Sequence, residues 1–317
     1  MPLAVGPAIS ASAGRMSPAV SGEVFVPIAT LIAADSLPAG ELNAAADRLH
    51  AAGLVIGESR WIEPGKVGEL HFTGDRAAGD AALAEYRNTA DVLVLDDDAR
   101  GVRLLVSDMD STMIANECID ELADYAGVKP QVAEITERAM QGELDFEAAL
   151  RERVALLKGL SEHVIGDCLG HRIQPMPGAR VLVRTLRSRG VDCVLVSGGF
   201  HSFADVIGAE LGFNAVFANR LVIEHGHMTG ALEGGIVDAA RKAAILMEQA
   251  AGQRIDAAQV IALGDGANDI PMLKDAGTGV AYHAKPAAIA AADAHIAHGD
   301  WTALLHALGI ARGDWSE

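Results

Sequence analysis

The sequence predicts an α/β protein: a Rossmann-like parallel sheet carrying a helical segment inserted after its first strand, preceded by a small α+β domain. Three observations predict it. From Leu104 onward, short apolar runs that read as buried strands alternate with amphipathic helical stretches, which is the pattern of a parallel sheet with right-handed crossovers. Between Glu117 and His171 no segment reads as a strand. Before residue 98 the order is instead strand, helix, strand, strand, helix, strand, a separate plan.

The N-terminal elements follow from pattern and punctuation. Residues 1–22, rich in Ala, Ser, Gly and Pro, are expected to be disordered. Val24 to Ile32 is β-favouring. Leu42, Ala45, Ala46 and Leu49 make a helical stripe ended by Gly53. Leu54–Ile62 and Lys66–Phe72 read as strands joined at Glu63-Pro64-Gly65, Asp80–Tyr86 as a short helix and Ala90–Leu95 as a last strand. At the level of fold analogy, residues 23–98 resemble an ACT-like or ferredoxin-like unit. Its role is a structural or dimerising appendage, or an effector site, and no polar constellation within it favours the latter. Asp96-Asp97-Asp98 and Arg100-Gly101 form a polar hinge, which places the boundary near Asp98 and assigns 99–317 to a second domain.

That domain is organised around Leu104-Leu105-Val106-Ser107, an apolar strand that stops at Asp108-Met109-Asp110-Ser111-Thr112. Ile119, Leu122, Ala123 and Ala126 then share a helical face with Gly127 as its stop, and further helix continues to about Leu169. The insertion, about 117–171, occupies the position of a cap over an active site. Arg180–Arg189 is helical, Val191–Val196 a buried strand, and Ser197-Gly198-Gly199 a tight turn at its end. Leu221–Leu232 alternates around His225-Gly226 as a hairpin. A helix over Asp238–Ala251, the strand Val260–Leu263, the loop Gly264-Asp265-Gly266-Ala267-Asn268-Asp269, and a helix with Pro271 in its first turn and Gly277 at its stop complete the pattern.

Composition narrows the partners. The 317 residues are half hydrophobic and carry a formal charge of −18, so phosphate backbones and anionic membrane surfaces repel the chain. No nucleic-acid or membrane partner is expected. Cys118, Cys168 and Cys193 are an odd number without Cys-x-x-Cys spacing, which indicates neither a disulfide framework nor a zinc site and suits a reducing cytoplasm. There is no apolar run of about twenty residues, and the start lacks a basic region followed by an apolar one.

Three strands end in polar loops, at Asp108, Ser197 and Asp265, and a parallel sheet brings those ends to one edge, where open α/β sheets bind ligands. Two carboxylates as close as Asp108 and Asp110 repel unless a cation lies between them, which suggests Mg²⁺ and leaves one Asp free for chemistry. Taken singly each element has a plainer reading: an acidic turn for Asp108-x-Asp110, a turn-forming Ser197, a solvated helix face for Lys242 beside Arg241. In the inserted helix starting near Asp145, Phe146, Ala149, Leu150 and Leu157 share an apolar face that also holds Arg153. Such an Arg either snorkels or pairs with a neighbouring Glu, or it faces an anionic ligand.

The ordered set Asp108-Met109-Asp110-Ser111-Thr112, Ser197-Gly198-Gly199, Lys242 and Gly264-Asp265-Gly266-Ala267-Asn268-Asp269 resembles the signature of the haloacid dehalogenase-like phosphatases. Met113-Ile114-Ala115-Asn116-Glu117-Cys118-Ile119-Asp120-Glu121 resembles their phosphoserine phosphatase branch. The resemblance spans about Leu104 to Leu308. It implies Asp108 as nucleophile, Asp110 as acid and base, and Ser197, the N–H groups of Gly198 and Met109, and Lys242 as partners of the phosphoryl group. It further implies Mg²⁺ held by Asp108, the carbonyl of Asp110 and Asp265, helped by Asn268 and Asp269. In the cap, Arg153 matches the position that clamps a substrate carboxylate and Glu117 the one that accepts an ammonium, with Met140 and Phe146 closing the apolar side. The implied substrate is O-phospho-L-serine. Alternatives are another small phosphorylated metabolite, or a non-catalytic amino-acid sensor, and a homodimer through the N-terminal domain is compatible with each.

Overall fold

The computed structural model describes residues 26–141 and 143–317, without the side chain of Met140. The disorder expected of residues 1–22 and the role expected of the Met140 side chain lie outside the described residues. Strands β1 (Pro27–Ala33), β2 (Val55–Glu63), β3 (Val67–Thr73) and β4 (Ala90–Asp96), with helices α1 (Glu41–Ala51) and α2 (Arg76–Ala82), form an antiparallel βαββαβ unit with strand order β2-β3-β1-β4. The helix expected over Asp80–Tyr86 is two pieces. α2 starts at Asp75, whose carboxylate accepts from the N–H of Ala78 and so caps the helix early, and residues 84–88 form a separate 3₁₀ turn.

A 3₁₀ turn over 97–101 leads into a seven-stranded sheet. Its strands are β5 (Leu104–Ser107), β6 (Asp192–Phe200), β7 (Ala215–Glu224), β8 (His227–Glu233), β9 (Val260–Gly264), β10 (Thr278–Tyr282) and β11 (Ala294–Ile296). The order is β11-β10-β9-β5-β6-β7-β8, parallel throughout except for the β7–β8 hairpin. Both faces are covered, as the unbroken apolar run of β5 requires. Between β5 and α7 (Ala179–Ser188) lie α3 (Cys118–Tyr125), α4 (Lys129–Met140), α5 (Phe146–Ala155) and α6 (His163–His171), with no strand between them among the described residues. Leu105 packs towards α7 and α8 (His201–Leu211). Leu104 and Val106 pack towards α9 (Ala239–Gln253) and α10 (Ile270–Asp275).

Three local expectations are corrected. Ser197-Gly198-Gly199 is not a tight turn: β6 runs on through it to Phe200, with a register shift against β7 between Val196 and Phe200. Gly277 does not stop α10 by a left-handed turn. The helix ends on an extended Ala276, and residue 277 is glycine because a Cβ there would lie 2.3 Å from the carbonyl oxygen of Ala257. β10 and β11, with the short α11 (Pro286–Ile289) between them, extend the sheet beyond the strands read from the sequence. The hairpin turn itself is as expected, with φ of 52° at His225 and 79° at Gly226.

The N-terminal unit is more than an appendage. Ala29, Leu31, Val92 and Val94 face α1, where Leu42, Ala45 and Leu49 meet them. The alternate residues Ile32, Leu93 and Leu95 join the main core, to which α12 (Thr302–Ala307) contributes Leu304 and Leu305. α12 packs on β1 and β4. The two units therefore share one apolar layer.

Candidate active site

β5, β6 and β9 run in parallel, so Asp108, Ser197 and Asp265 emerge from one edge of the sheet. The N–H of Asp108 donates to the carbonyl of Leu263 (3.0 Å), which extends the β5–β9 pairing by one residue and fixes where the chain leaves the sheet. The Asp108 side chain is buried. Burial and the charge of Asp269 push its carboxyl well above the usual value, and Lys242 works in the opposite direction.

Lys242, whose plainest reading was a solvated position beside Arg241, is buried. Its Nζ lies 2.7 Å from Asp108 Oδ1 and 2.8 Å from Asp269 Oδ1. Burial disfavours its charge, but the two carboxylates outweigh that cost and raise its pKa above the usual lysine value. Arg241 turns outward to Glu248. Asp269 is occupied on both oxygens, since Oδ2 accepts from the N–H groups of Asp265 (3.1 Å) and Gly266 (3.0 Å). It organises the loop and the lysine.

The Asp265 carboxyl is pushed up to about 6 by burial and the charge of Asp269, against the hydroxyl of Thr112, which donates to Oδ1 (3.0 Å). Carboxylate oxygens of Asp108, Asp265 and Asp269 all lie within 4.8 Å of one another. Burial first, and then the charge of Asp269, raises the carboxyls of Asp108 and Asp265, and the three carboxylates outnumber the one buried lysine. Oxygen-only donors with surplus negative charge fit a hard divalent cation such as Mg²⁺. Both oxygens of Asp269 are engaged, which leaves Asp108 and Asp265 as the carboxylates suited to hold it; the backbone carbonyl of Asp110 is the third donor that the family resemblance implies.

Asp110 stands against the end of β6. A Cβ on Gly199 would lie 3.0 Å from both Asp110 Oδ2 and Ser197 Oγ, so glycine is what lets this carboxyl approach the strand. Burial and the charge of Glu117 push Asp110 up to about 7, with Cys118 opposing. Such a group both gives and takes protons near neutrality. Ser197 Oγ accepts from the N–H of Gly199 (2.8 Å), leaving its proton to donate. The N–H of Met109 donates to Asp108 Oδ1 (2.7 Å), so it orients the carboxylate in this structure and does not stand open for a phosphoryl oxygen. Asn268 is half-buried on the 265–269 loop.

Sequence reasoning missed Asn219. Buried on β7, it donates to the carbonyl of Gly198 (2.8 Å) and accepts from the N–H of Val237 (2.8 Å), which holds the irregular end of β6 in place. An Asn in the hairpin's first strand gives no linear signal of this.

From the inserted helices, α5 begins at Asp145, whose carboxylate accepts from the N–H of Ala148 (2.7 Å). This places Phe146 over the end of β6, with its Cζ 3.1 Å from where a Cβ on Gly198 would stand. Arg153 is half-buried. Its Nε donates to the carbonyl of Ala149 (3.3 Å), and no ion pair within 4.0 Å engages its guanidinium among the described residues. Burial lowers its pKa, while the charges of Asp120 and Glu117 pull the other way. Glu117 accepts from the hydroxyl of Ser111 (2.8 Å), a residue held at φ 56°.

A buried carboxylate paired with a buried lysine at the carboxyl ends of parallel strands lies where open α/β sheets bind their ligands. The family model of the haloacid dehalogenase-like hydrolases matches residues 105–274. The chain is 42% identical over 257 residues to phosphoserine phosphatase SerB2 of Mycobacterium tuberculosis, covering 80% of this chain and 60% of that protein's length. It is 48% identical over 193 residues to the phosphoserine phosphatase of Lactococcus lactis, 61% of this chain and 89% of that one. The crystal structure of a probable phosphoserine phosphatase from Vibrio cholerae superposes with a TM-score of 0.73 at 32% identity, covering 92% of this chain and 88% of that one. The chain belongs to the haloacid dehalogenase-like hydrolase family, alongside its phosphoserine phosphatases.

Proposed function

We propose that the protein hydrolyses O-phospho-L-serine to serine and phosphate through an aspartyl-phosphate on Asp108. Asp108 attacks phosphorus, and the bond to the serine oxygen breaks as Asp110 delivers its proton there. Asp110 then takes a proton from water, which attacks the same phosphorus and frees Asp108. Lys242 favours the ionised form of Asp108, working against burial and the charge of Asp269, and Ser197 donates to a phosphoryl oxygen. Mg²⁺, held by Asp108, Asp265 and the carbonyl of Asp110, supplies positive charge to the phosphoryl oxygens when bound. The helices of 117–171 act as the cap, with Phe146 lying over Gly198 and with Met140 and Asn268 assigned to the substrate.

The observation that carries the substrate assignment is Arg153. A half-buried guanidinium without an ion-pair partner among the described residues is suited to a bidentate carboxylate, and Glu117 supplies the opposite charge for an ammonium. Phosphate release from phosphoserine, phosphothreonine and a sugar phosphate, each with EDTA and after Mg²⁺ add-back, tests the reading. Turnover should be fastest on phosphoserine, vanish with EDTA and return with Mg²⁺. Equal rates on the sugar phosphate, or full activity in EDTA, would refute it. We further propose a cytoplasmic location, which the three free, buried cysteines suit, and a homodimer through the N-terminal unit, whose edge strand β2 leaves Val55 67% exposed. No helix among the described residues is long and apolar enough to cross a membrane.

A further inference from the structure

We infer that the N-terminal unit helps to set the metal end of the active site, with Asp91 and Trp301 as positioning residues. The inference rests on the cation reading of Asp108 and Asp265 given above.

A chain of hydrogen bonds and one ring stack links the two. Asp91, buried on β4, turns its carboxylate towards the loop that follows β11. Its Oδ1 accepts from the N–H groups of Ala297 (2.7 Å) and His298 (3.0 Å), and its Oδ2 accepts from that of Gly299 (2.7 Å). Three N–H bonds on one buried carboxylate fix a loop that has no ladder of its own. The fit is tight, because a Cβ on Gly299 would lie 2.8 Å from Asp91 Oδ2. Two residues on, Trp301 is fully buried, its ring stacked on Tyr282 with centroids 4.2 Å apart. The Trp301 Nε1–H donates to the carbonyl of Thr112 (2.9 Å). Thr112, also buried, donates its hydroxyl to Asp265 Oδ1 (3.0 Å).

Each link restricts the next. With the loop pinned by Asp91 and the indole pinned by Tyr282, the peptide of Thr112 has one orientation, and its hydroxyl is aimed at Asp265. A carboxylate so restrained presents its remaining lone pairs to a cation at a lower ordering cost. The coupling runs through hydrogen bonds between buried groups, for which a pairwise cycle is the decisive measurement.

The test uses the full-length protein and Mn²⁺, with free ion measured by electron paramagnetic resonance and with no substrate present. Trp301→Phe keeps an aromatic ring against Tyr282 and removes the donor together with part of the indole's buried volume. It should raise the Mn²⁺ dissociation constant roughly two- to tenfold, the span of one neutral hydrogen bond, beside a fall in melting temperature from the lost volume. Thr112→Val should do the same, and the double variant should be no worse than either single one. Asp91→Asn, which replaces an acceptor by a donor facing an N–H, should weaken Mn²⁺ in the same sense and serves if Trp301→Phe fails to fold. Native affinity in both Trp301→Phe and Asp91→Asn, or strictly additive losses in the double variant, would overturn the inference while leaving the cation reading intact. Failure of the native protein to bind Mn²⁺, with Asp265→Asn unchanged from it, would overturn the cation reading and the inference with it.

Discussion

The Nζ of Lys242 lies 2.7 Å from Oδ1 of Asp108, with both side chains withdrawn from solvent. The lysine is the fixed counter-charge of the sheet edge. Replacing it with Met leaves Asp108 and Asp269 facing each other in a buried site. Removing one partner of a buried pair costs about 3–5 kcal/mol, so urea unfolding of Lys242→Met should show a loss of that order together with loss of turnover. A stability within about 1 kcal/mol of native would show that the carboxylates find compensation elsewhere.

Asp108→Asn should abolish phosphate release while leaving the melting temperature equal or higher. An amide is a poor nucleophile, and removing the charge ends the burial cost and the repulsion from Asp269 that raise the Asp108 carboxyl, while Lys242 keeps Asp269 as its partner. Asp110→Asn should cost about 10²–10⁴-fold, the usual contribution of a positioned acid and base. A near-native rate for either variant, with the substitution verified by mass spectrometry, would contradict the assigned roles.

Arg153→Ala should weaken catalysis on phosphoserine far more than on p-nitrophenyl phosphate, which has no carboxylate to pair. Truncating one member of a desolvated charge pair costs about 2–5 kcal/mol, which is roughly thirty- to several-thousandfold in kcat/KM. Parallel losses on both substrates would make Arg153 a support of α5 rather than a specificity residue.

Acid stability should depend on Glu69. Its buried carboxylate meets Arg100 (2.8 Å), Arg60 (3.1 Å) and His71. Burial pushes its pKa up, but these partners outweigh burial and hold it below the ordinary glutamate value. A lowered folded pKa contributes stability that is complete above the unfolded value, about 4.3, and is lost as pH falls through the folded one. Glu69→Gln should therefore be less stable than native by about 1–3 kcal/mol at pH 7, and the gap should close below about pH 4. A gap that persists unchanged at pH 3 would show that packing, not charge, is what the substitution removes.

The legible part of the fold was the part written in local pattern. β5 and β9 are apolar runs that stop at carboxylates, and α5 announces itself with Asp145. What escaped was set by contacts distant in sequence. Thr278–Tyr282 and Ala294–Ile296 are too short and too rich in small residues to read as strands, yet both lie in the sheet. Ser197-Gly198-Gly199 has the composition of a turn, but Asn219 and the pairing of Phe200 with Asn219 keep it extended. Lys242 looks solvated because helical spacing shows its neighbour Arg241 and does not show Asp108 and Asp269. In the sequence Asp91 shows only as part of a strand, since its three amide partners lie some 200 residues away.

The apolar layer shared by β1, β4 and α12 also bears on how the chain is made. During synthesis the βαββαβ unit emerges about 200 residues ahead of the helix that covers its second face. At roughly 5–20 residues per second this is an interval of about 10–40 s, in which Ile32, Leu93 and Leu95 have nothing from α12 to pack against. The βαββαβ unit, made about 200 residues before α12, is thus completed only late, and the nascent chain carries an open sheet face until its downstream helix arrives.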